Sequence, residues 1–550
     1  MTDKAKDVRN VLFIMADQLR FDYLSCAGHP HLHTPNIDAL AARGVRFDEA
    51  YVQSPVCGSS RMSFYTGRYC RSTGAVWNNI PLRVDELTLG DYLKELDMRT
   101  VLVGKTHMAP NTEAMERLGI EASSGIGVHV SQCGFEPYER DDGLHPTERP
   151  AYKNLAYNKY LEKQGYEGDN LWHEWANSAM GEDDEILSGW LLAHADKPAR
   201  IADEDSETPY MTRRAMEFIA EADAKGERWC CHLSYIKPHW PYIVPAPYHN
   251  MYGKDDLLPV VRHEVERQSP HPVYGAFMEQ RASTAFAKDH VREHVLPAYM
   301  GLIKQLDDQI GELMKFLEEQ GRLDDTMIVF TSDHGDYMGD HWMGEKDMFH
   351  QPSVKVPMIV FDPRASADAT RGTVENRMIE AIDLVPTFIE ACGGTVRTHV
   401  VEGRSLEPLL AGEKDVDWRE AVFSEYDYGH QWMRQKLGRH SGETGMTMIF
   451  DGRYKFVHCE GYRPILHDLQ EDPQEFFDRG DDPEYASVIQ RMEGLLLEWA
   501  LTRNNRVTKS DAAIDAYEDK KQQLGAGVAI GFWDEKELEE ARREAGFIIE

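Results

Sequence analysis

Apolar residues fall into two kinds of run along this chain. Residues 11–15 (VLFIM), 100–103 (TVLV) and 327–330 (MIVF) are solid runs without polar alternation, the pattern of strands covered on both faces in a parallel sheet. Between them the spacing turns helical. Thr34-Pro35-Asn36 opens a helix that carries Ile37, Leu40 and Ala41 on one face and stops at Gly44. From Pro297 to Gln320, Ile303, Leu306, Ile310, Leu313 and Leu317 recur at helical spacing. Strands alternating with helices predict a doubly wound α/β domain that works at the carboxyl ends of its strands. Two of the solid runs end on an aspartate, in Ala16-Asp17-Gln18 and in Ser332-Asp333-His334. Either aspartate could be a helix cap, but two at one sheet edge favour a shared metal site.

The pattern weakens over residues 111–198, which are acidic and rich in Gly, Tyr and Trp. This stretch reads as insertions around the mouth of a site, where substrate choice resides. After Trp418, short runs at 421–425, 446–450 and 454–458, with Asp451-Gly452 as a hairpin turn, predict a smaller antiparallel unit, followed by a helix over 488–501. The expected division is a catalytic domain over 1–415, a small domain over 416–505 and a tail over 506–550. Apolar residues 528–533 and 547–549 on that polar tail suggest an arm that docks on the body or on a second subunit; a fraying tail is the competing reading.

Charge narrows the partners. The 550 residues include 94 acidic and 60 basic side chains, a net charge of −34. Such a field disfavours nucleic acid and anionic membrane surfaces. Any anion site must therefore carry its own cluster of cations. No apolar stretch is long enough for a bilayer span or follows a basic start as a secretory leader would. The eight cysteines show neither disulfide nor zinc-knuckle spacing, so a cytoplasmic location is expected.

The strongest chemical signal runs from Ser54 to Arg68 (SPVCGSSRMSFYTGR). Cys57 opens a predicted helix with serines suited to capping and Gly67 suited to stopping it. Amides and dipole at such a terminus favour an anion. On position alone, Cys57 is either a thiolate activated beside Arg61 or a buried structural cysteine.

Cys57-x-Ser59-x-Arg61 followed by Thr66-Gly67-Arg68 resembles the sulfatase signature, in which the cysteine becomes a formylglycine. The resemblance covers most of the chain. Residues 10–18 resemble the family's first strand and metal loop, Gly104-Lys105-Thr106-His107 its Gly-Lys-x-His motif, and Lys237-Pro238-His239 its Pro-His loop. Residues 332–340 resemble its second metal loop, and 466–473 its C-terminal hairpin. Asp333-His334 is also similar to the phosphonate monoester hydrolases and choline sulfatases. Lys105 and His107, which the phosphonate enzymes replace, tilt the reading toward sulfate esters. Three positions depart from the common sulfatase pattern: Ser59 stands where Pro or Ala is usual, Gln18 where many have Asp, and His334 where many have Asn.

The resemblance implies an alkaline phosphatase-like α/β fold, a mixed sheet between helices, with a smaller C-terminal α+β domain on an antiparallel sheet. It implies one divalent metal, Ca²⁺ as in sulfatases or Mn²⁺ as in the phosphonate enzymes. Asp17, Gln18, Asp333 and residue 57 would offer oxygen ligands, with His334 as a nitrogen donor. The hydrated aldehyde would attack sulfur, while Arg61 and Lys105 hold its geometry and offset charge. His239 and Lys346 would assist the leaving alcohol, and His107 would take the proton that frees sulfate. Asn78, or its neighbour Asn79, would hydrogen-bond the substrate. The implied partners are a small anionic ester, a formylglycine-generating system and further copies of the chain in a homo-dimer or homo-tetramer. The competing readings are a phosphonate monoester hydrolase or phosphodiesterase with the same machinery, and a non-catalytic relative with Cys57 unmodified.

Overall fold

The computed structural model describes residues 7–143, 146–147, 155–503, 506–516, 524–526 and 530–547. Eight strands build one sheet: β1 (Asn10–Asp17), β2 (Val45–Phe47), β3 (Met98–Gly104), β4 (Glu136–Arg140), β5 (Arg228–Pro238), β6 (Thr326–Ser332), β7 (Met358–Phe361) and β8 (Thr373–Glu375). Their order is β8-β2-β7-β6-β1-β5-β3-β4. The run from β6 to β4 is parallel, whereas β7 lies antiparallel to both β6 and β2. The sheet is thus mixed, as the resemblance implies. All eight residues of β1 are buried, because it pairs on both edges and is covered on both faces. Val11, Phe13 and Met15 enter one core and Leu12, Ile14 and Ala16 the other. Burying each large apolar side chain there contributes roughly 1.5–3 kcal/mol.

The first helix, α1 (Pro35–Arg43), forms where expected, but Thr34 does not cap it through its side chain. Its hydroxyl instead bonds Ser25 and Asp38. The Asn36 and Ile37 amides are taken by Asp307, on a long helix further along the chain. The catalytic cysteine candidate opens α2 (Cys57–Thr66), and α3 (Glu207–Lys225) lies before β5. Helix α4 (Asp289–Glu319) starts eight residues before Pro297, which sits inside it. The apolar stripe of α4 seats on the sheet, and this packing outweighs the one backbone bond the proline removes.

Residues 111–198 hold more structure than the insertion reading foresaw. Strand β4 lies within them and forms an edge of the main sheet, and a ribbon pairs Ser178–Met180 with Ile186–Ser188.

The smaller sheet is antiparallel: β9 (Val422–Asp427), β10 (Gly445–Phe450), β11 (Tyr454–Cys459) and β12 (Ile465–Asp468). Its side chains alternate. Phe423, Ile449, Phe456 and Leu466 pack with Met492 and Trp499 of α5 (Ala486–Leu501). Val422, Met448, Phe450 and Val457 join the same core cluster as β1. At the tip between β10 and β11, Asp451 accepts the amides of Arg453 and Tyr454. In the tail, Ile530 and Trp533 are exposed and Phe547 is half-exposed; residues 528–529 and 548–549 lie outside the described residues. Among the described residues, no helix is long and apolar enough to cross a membrane, and all eight cysteines are free thiols.

Candidate active site

Four neighbouring parallel strands deliver the site. Asp17 ends β1, Lys105 follows β3, His239 follows β5 and Asp333 follows β6. Register fixes their common level: Ala16 pairs with Ser332 and Asp17 with Pro238. After β3 the chain must turn against β5, and only a residue without a side chain fits. Gly104 has φ +109°, and a Cβ there would stand 1.9 Å from the Ser234 carbonyl oxygen.

Helix α2 meets this edge with Cys57 at its first turn. Its serines do not cap it, contrary to the sequence reading. Ser59 bonds Ser54, and Ser60 donates to the Asp333 carbonyl at 2.6 Å, tying the helix to the loop after β6. The first-turn amide of Gly58 is instead taken by Asn78 Oδ1 at 2.7 Å. Gly67 stops the helix in the left-handed region, as expected.

Asp17, Cys57, Asp333 and His334 each place a ligand atom within 4.8 Å of the others, all buried. Cys57 Sγ is 3.0 Å from His334 Nε2 and 3.9 Å from Asp17 Oδ1. His334 Nδ1 faces the Gly335 carbonyl at 2.9 Å, which leaves Nε2 for the cluster. Arg61 holds both carboxylates, Nε to Asp333 at 2.8 Å and a terminal nitrogen to Asp17 at 3.2 Å. Its other terminal nitrogen donates to Ser234 and to the Lys105 carbonyl. Lys105 pairs with Asp17.

Charge explains the titration of these groups. Burial works against the Cys57 thiolate, but Lys346, His334 and Lys105 together hold its pKa well below the ordinary value. Against burial, Asp333 and Cys57 raise His334 to about 9. Asp17 is held low despite burial and Cys57, by Lys105, His239 and Arg61. The donor set of two carboxylates, one imidazole and residue 57 suits a divalent cation.

A second group faces the first. Lys346 Nζ lies 2.9 Å from Gln18 Oε1 and 3.2 Å from His239 Nε2. His239 Nδ1 bonds the Trp240 carbonyl, so its Nε2 is the acceptor toward Lys346. Gln18, expected among the metal ligands, spends its amide on Lys346 and Asp336. His107 lies against the Cys57 sulfur, and its buried Nδ1 has no partner among the described residues.

Cys57, Lys105, His107, His239 and Lys346 line a cavity of about 720 Å³, whose wall includes Arg140, Asp142, Trp172, Asn177 and Trp190 from residues 111–198, as the insertion reading expected. Sequence reasoning missed several supports. Asp142 accepts the amides of both Thr106 and His107 at 2.9 Å, Ser234 bonds Arg61, and Tyr242 bonds Asp336 at 3.0 Å. Only Asp336, three residues past Asp333, carried a usable signal.

Fold and site together define a hydrolase of the alkaline phosphatase-like superfamily. The sulfatase family profile matches residues 9–394, and that of the N-sulphoglucosamine sulphohydrolase C-terminal region matches 339–501. The chain belongs to the sulfatase family. It is 30% identical over 525 residues to the multifunctional alkaline phosphatase superfamily protein PehA of Trinickia caryophylli, covering 90% of this chain and 96% of that one. It is 25% identical over 529 residues to an arylsulfatase of Clostridium perfringens, covering 92% and 98%. The phosphonate monoester hydrolase SpPMH of Silicibacter pomeroyi superposes with a TM-score of 0.78 at 27% identity, over 90% of this chain and 96% of that one.

Proposed function

We propose that this chain hydrolyses sulfate monoesters of aryl or small alkyl alcohols by S–O cleavage, with a formylglycine made from Cys57 as nucleophile. The observation that carries the reading is Cys57 at the first turn of α2, set between a metal-type donor cluster and the cations Arg61, Lys105 and Lys346. These cations supply locally what the chain's overall charge opposes. Asp17, Asp333, His334 and residue 57 would hold one divalent ion, Ca²⁺ or alternatively Mn²⁺, whose Lewis-acid charge favours the ionised nucleophile. Arg61 orients both carboxylates. Lys346 hydrogen-bonds His239 and can pass a proton to the departing alcohol, while His107 stands beside residue 57 to accept one. Asn78 lines the cavity and, by holding the Gly58 amide, fixes the first turn of α2.

One observation favours a second activity on phosphonate monoesters or phosphodiesters with the same residues. PehA and two phosphonate monoester hydrolases, the latter at TM-scores of 0.78 and 0.77, align along nine-tenths of the chain. Maturation by a formylglycine-generating system, a homo-oligomeric state and a cytoplasmic location, supported by eight free thiols, belong to the same proposal. The test begins with the mass of the tryptic fragment that contains Cys57, from a host able to modify it. A loss of roughly 18 Da against the thiol form marks the aldehyde; an unmodified fragment removes the nucleophile. Rates on a sulfate and a phosphonate ester of one alcohol follow, and a strong preference for the phosphonate refutes the sulfatase assignment.

A further inference from the structure

A separate set of buried donors converges away from the proposed nucleophile. Glu266, His341 and His350 each offer a ligand atom within 4.8 Å of the others. His341 Nδ1 lies 2.6 Å from Glu266 Oε1. The His341 ring stacks on His350, with centroids 3.9 Å apart and planes 11° from parallel. His350 Nδ1 lies 2.9 Å from the Tyr337 hydroxyl, which leaves Nε2 for another partner. A third imidazole, His467 of β12, sits 5.6 Å from His350 ring to ring. It is 5% exposed, and its Nδ1 has no hydrogen-bond partner among the described residues. Glu266, His350 and His467 line one cavity of about 220 Å³.

Three imidazoles around a carboxylate are a poor arrangement for a core unless something binds them. A buried nitrogen without a partner costs stability, and three neighbouring imidazolium charges would repel. With His350 Nδ1 facing the Tyr337 hydroxyl and His467 Nδ1 unpartnered among the described residues, His350 Nε2 and His467 Nδ1 remain for a ligand. Neighbouring charged and imidazole groups are already engaged. Lys455 pairs with Glu475 at 2.6 Å, and His271 spends its nitrogens on the Val273 amide and the Arg463 carbonyl. Glu266 supplies the carboxylate, its Oε1 meeting His341 and its Oε2 accepting the His263 amide.

We infer that Glu266, His341, His350 and His467 form a second divalent-metal site, separate from the active-site cluster and suited by its nitrogen donors to Zn²⁺. Binding splays the stacked rings toward the ion and releases the proton that His341 shares with Glu266. The ligands come from three stretches of chain: a turn at Glu264–Arg267, the loop after β6, and β12. That loop carries Lys346, and Met338, His341, Trp342, Glu345 and Asp347 all hold positive φ within it. An ion there ties the loop to the small sheet and fixes the approach of Lys346 to His239.

The test uses the full chain carrying Asp333→Ala, which removes an active-site ligand. The protein is stripped with chelator, reloaded with Zn²⁺, desalted and analysed for metal. One zinc per chain is expected, with a zinc-dependent rise in melting temperature. Adding Glu266→Gln or His467→Asn should abolish both, while circular dichroism stays unchanged. Should Asp333→Ala fail to fold, the same comparison on the native chain reads two equivalents against one. A reloaded chain that holds no zinc beyond the active-site equivalent overturns the inference. So does zinc that persists undiminished in both added variants.

Discussion

Arg61 and the proposed active-site metal answer the same two carboxylates, so removing one should change what the other is worth. In Arg61→Met the aliphatic volume is kept and the guanidinium lost. Asp17 and Asp333, both fully buried beside it, then face each other with Lys105 as the remaining direct counter-ion to Asp17. Leaving one partner of a buried pair uncompensated costs about 3–5 kcal/mol, and here two carboxylates share one guanidinium. In chelator the variant should therefore lose about 4 kcal/mol against the parent. With saturating metal the loss should shrink, because the ion restores the missing positive charge and so binds the variant more tightly than the parent, each tenfold in Kd returning about 1.4 kcal/mol. The assay is urea unfolding followed by tryptophan fluorescence, parent against variant, with chelator and with metal. The reasoning fails if the variant matches the parent in chelator, or if the loss is equal with and without metal.

Two further perturbations address the supports. Asp142→Ala removes the acceptor for the Thr106 and His107 amides, so kcat should fall by about tenfold to a hundredfold, the cost of misplacing a reacting group, with KM nearly unchanged. Asp142→Asn, which keeps a carbonyl oxygen, should recover most of the rate in steady-state assays. Glu425 is buried, and burial lifts its pKa from 4.5 to about 7 against the pull of the Arg71 amide and guanidinium. The folded state thus favours the neutral acid, and stability is lost as pH rises from the ordinary carboxyl range through about 7. Glu425→Gln should stabilise by up to about 3 kcal/mol at pH 8 and by little at pH 5, read from unfolding midpoints. A variant equal to its parent at pH 8 counts against this.

Much of the site was legible because its signals are local. The solid apolar runs ending in Asp17 and Asp333 announced strands that deliver carboxylates, and the glycine before Lys105 marked the turn that presents it. Cys57 at a helix start was legible for the same reason. What the sequence concealed depends on segments far apart in the chain. No periodicity tells that Gln18 will meet Lys346 and Asp336, that Asp142 will hold the His107 turn, or that β7 will run against its neighbours. The capping serines show the converse error. Ser59 and Ser60 have the right residue type for caps, but tertiary partners at Ser54 and Asp333 claimed their hydroxyls. The small sheet was recognisable from its hairpin turn, while its sharing of a core with β1 could be seen only in three dimensions.

The burial of Cys57 also imposes a timetable. The side chain is 1% exposed, walled in by α2, by strand ends that lie hundreds of residues apart in sequence, and by the loops around the cavity. A cavity of this size admits small esters, yet no protein can reach the sulfur through it. Any enzyme that converts Cys57 must act while the segment around it is still extended, before β6 closes against β1. Residue 57 is synthesised well ahead of Thr326–Ser332, so the emerging chain offers an interval for that encounter. A chain that folds first is locked in its thiol state, and the fraction converted becomes a record of which event came earlier.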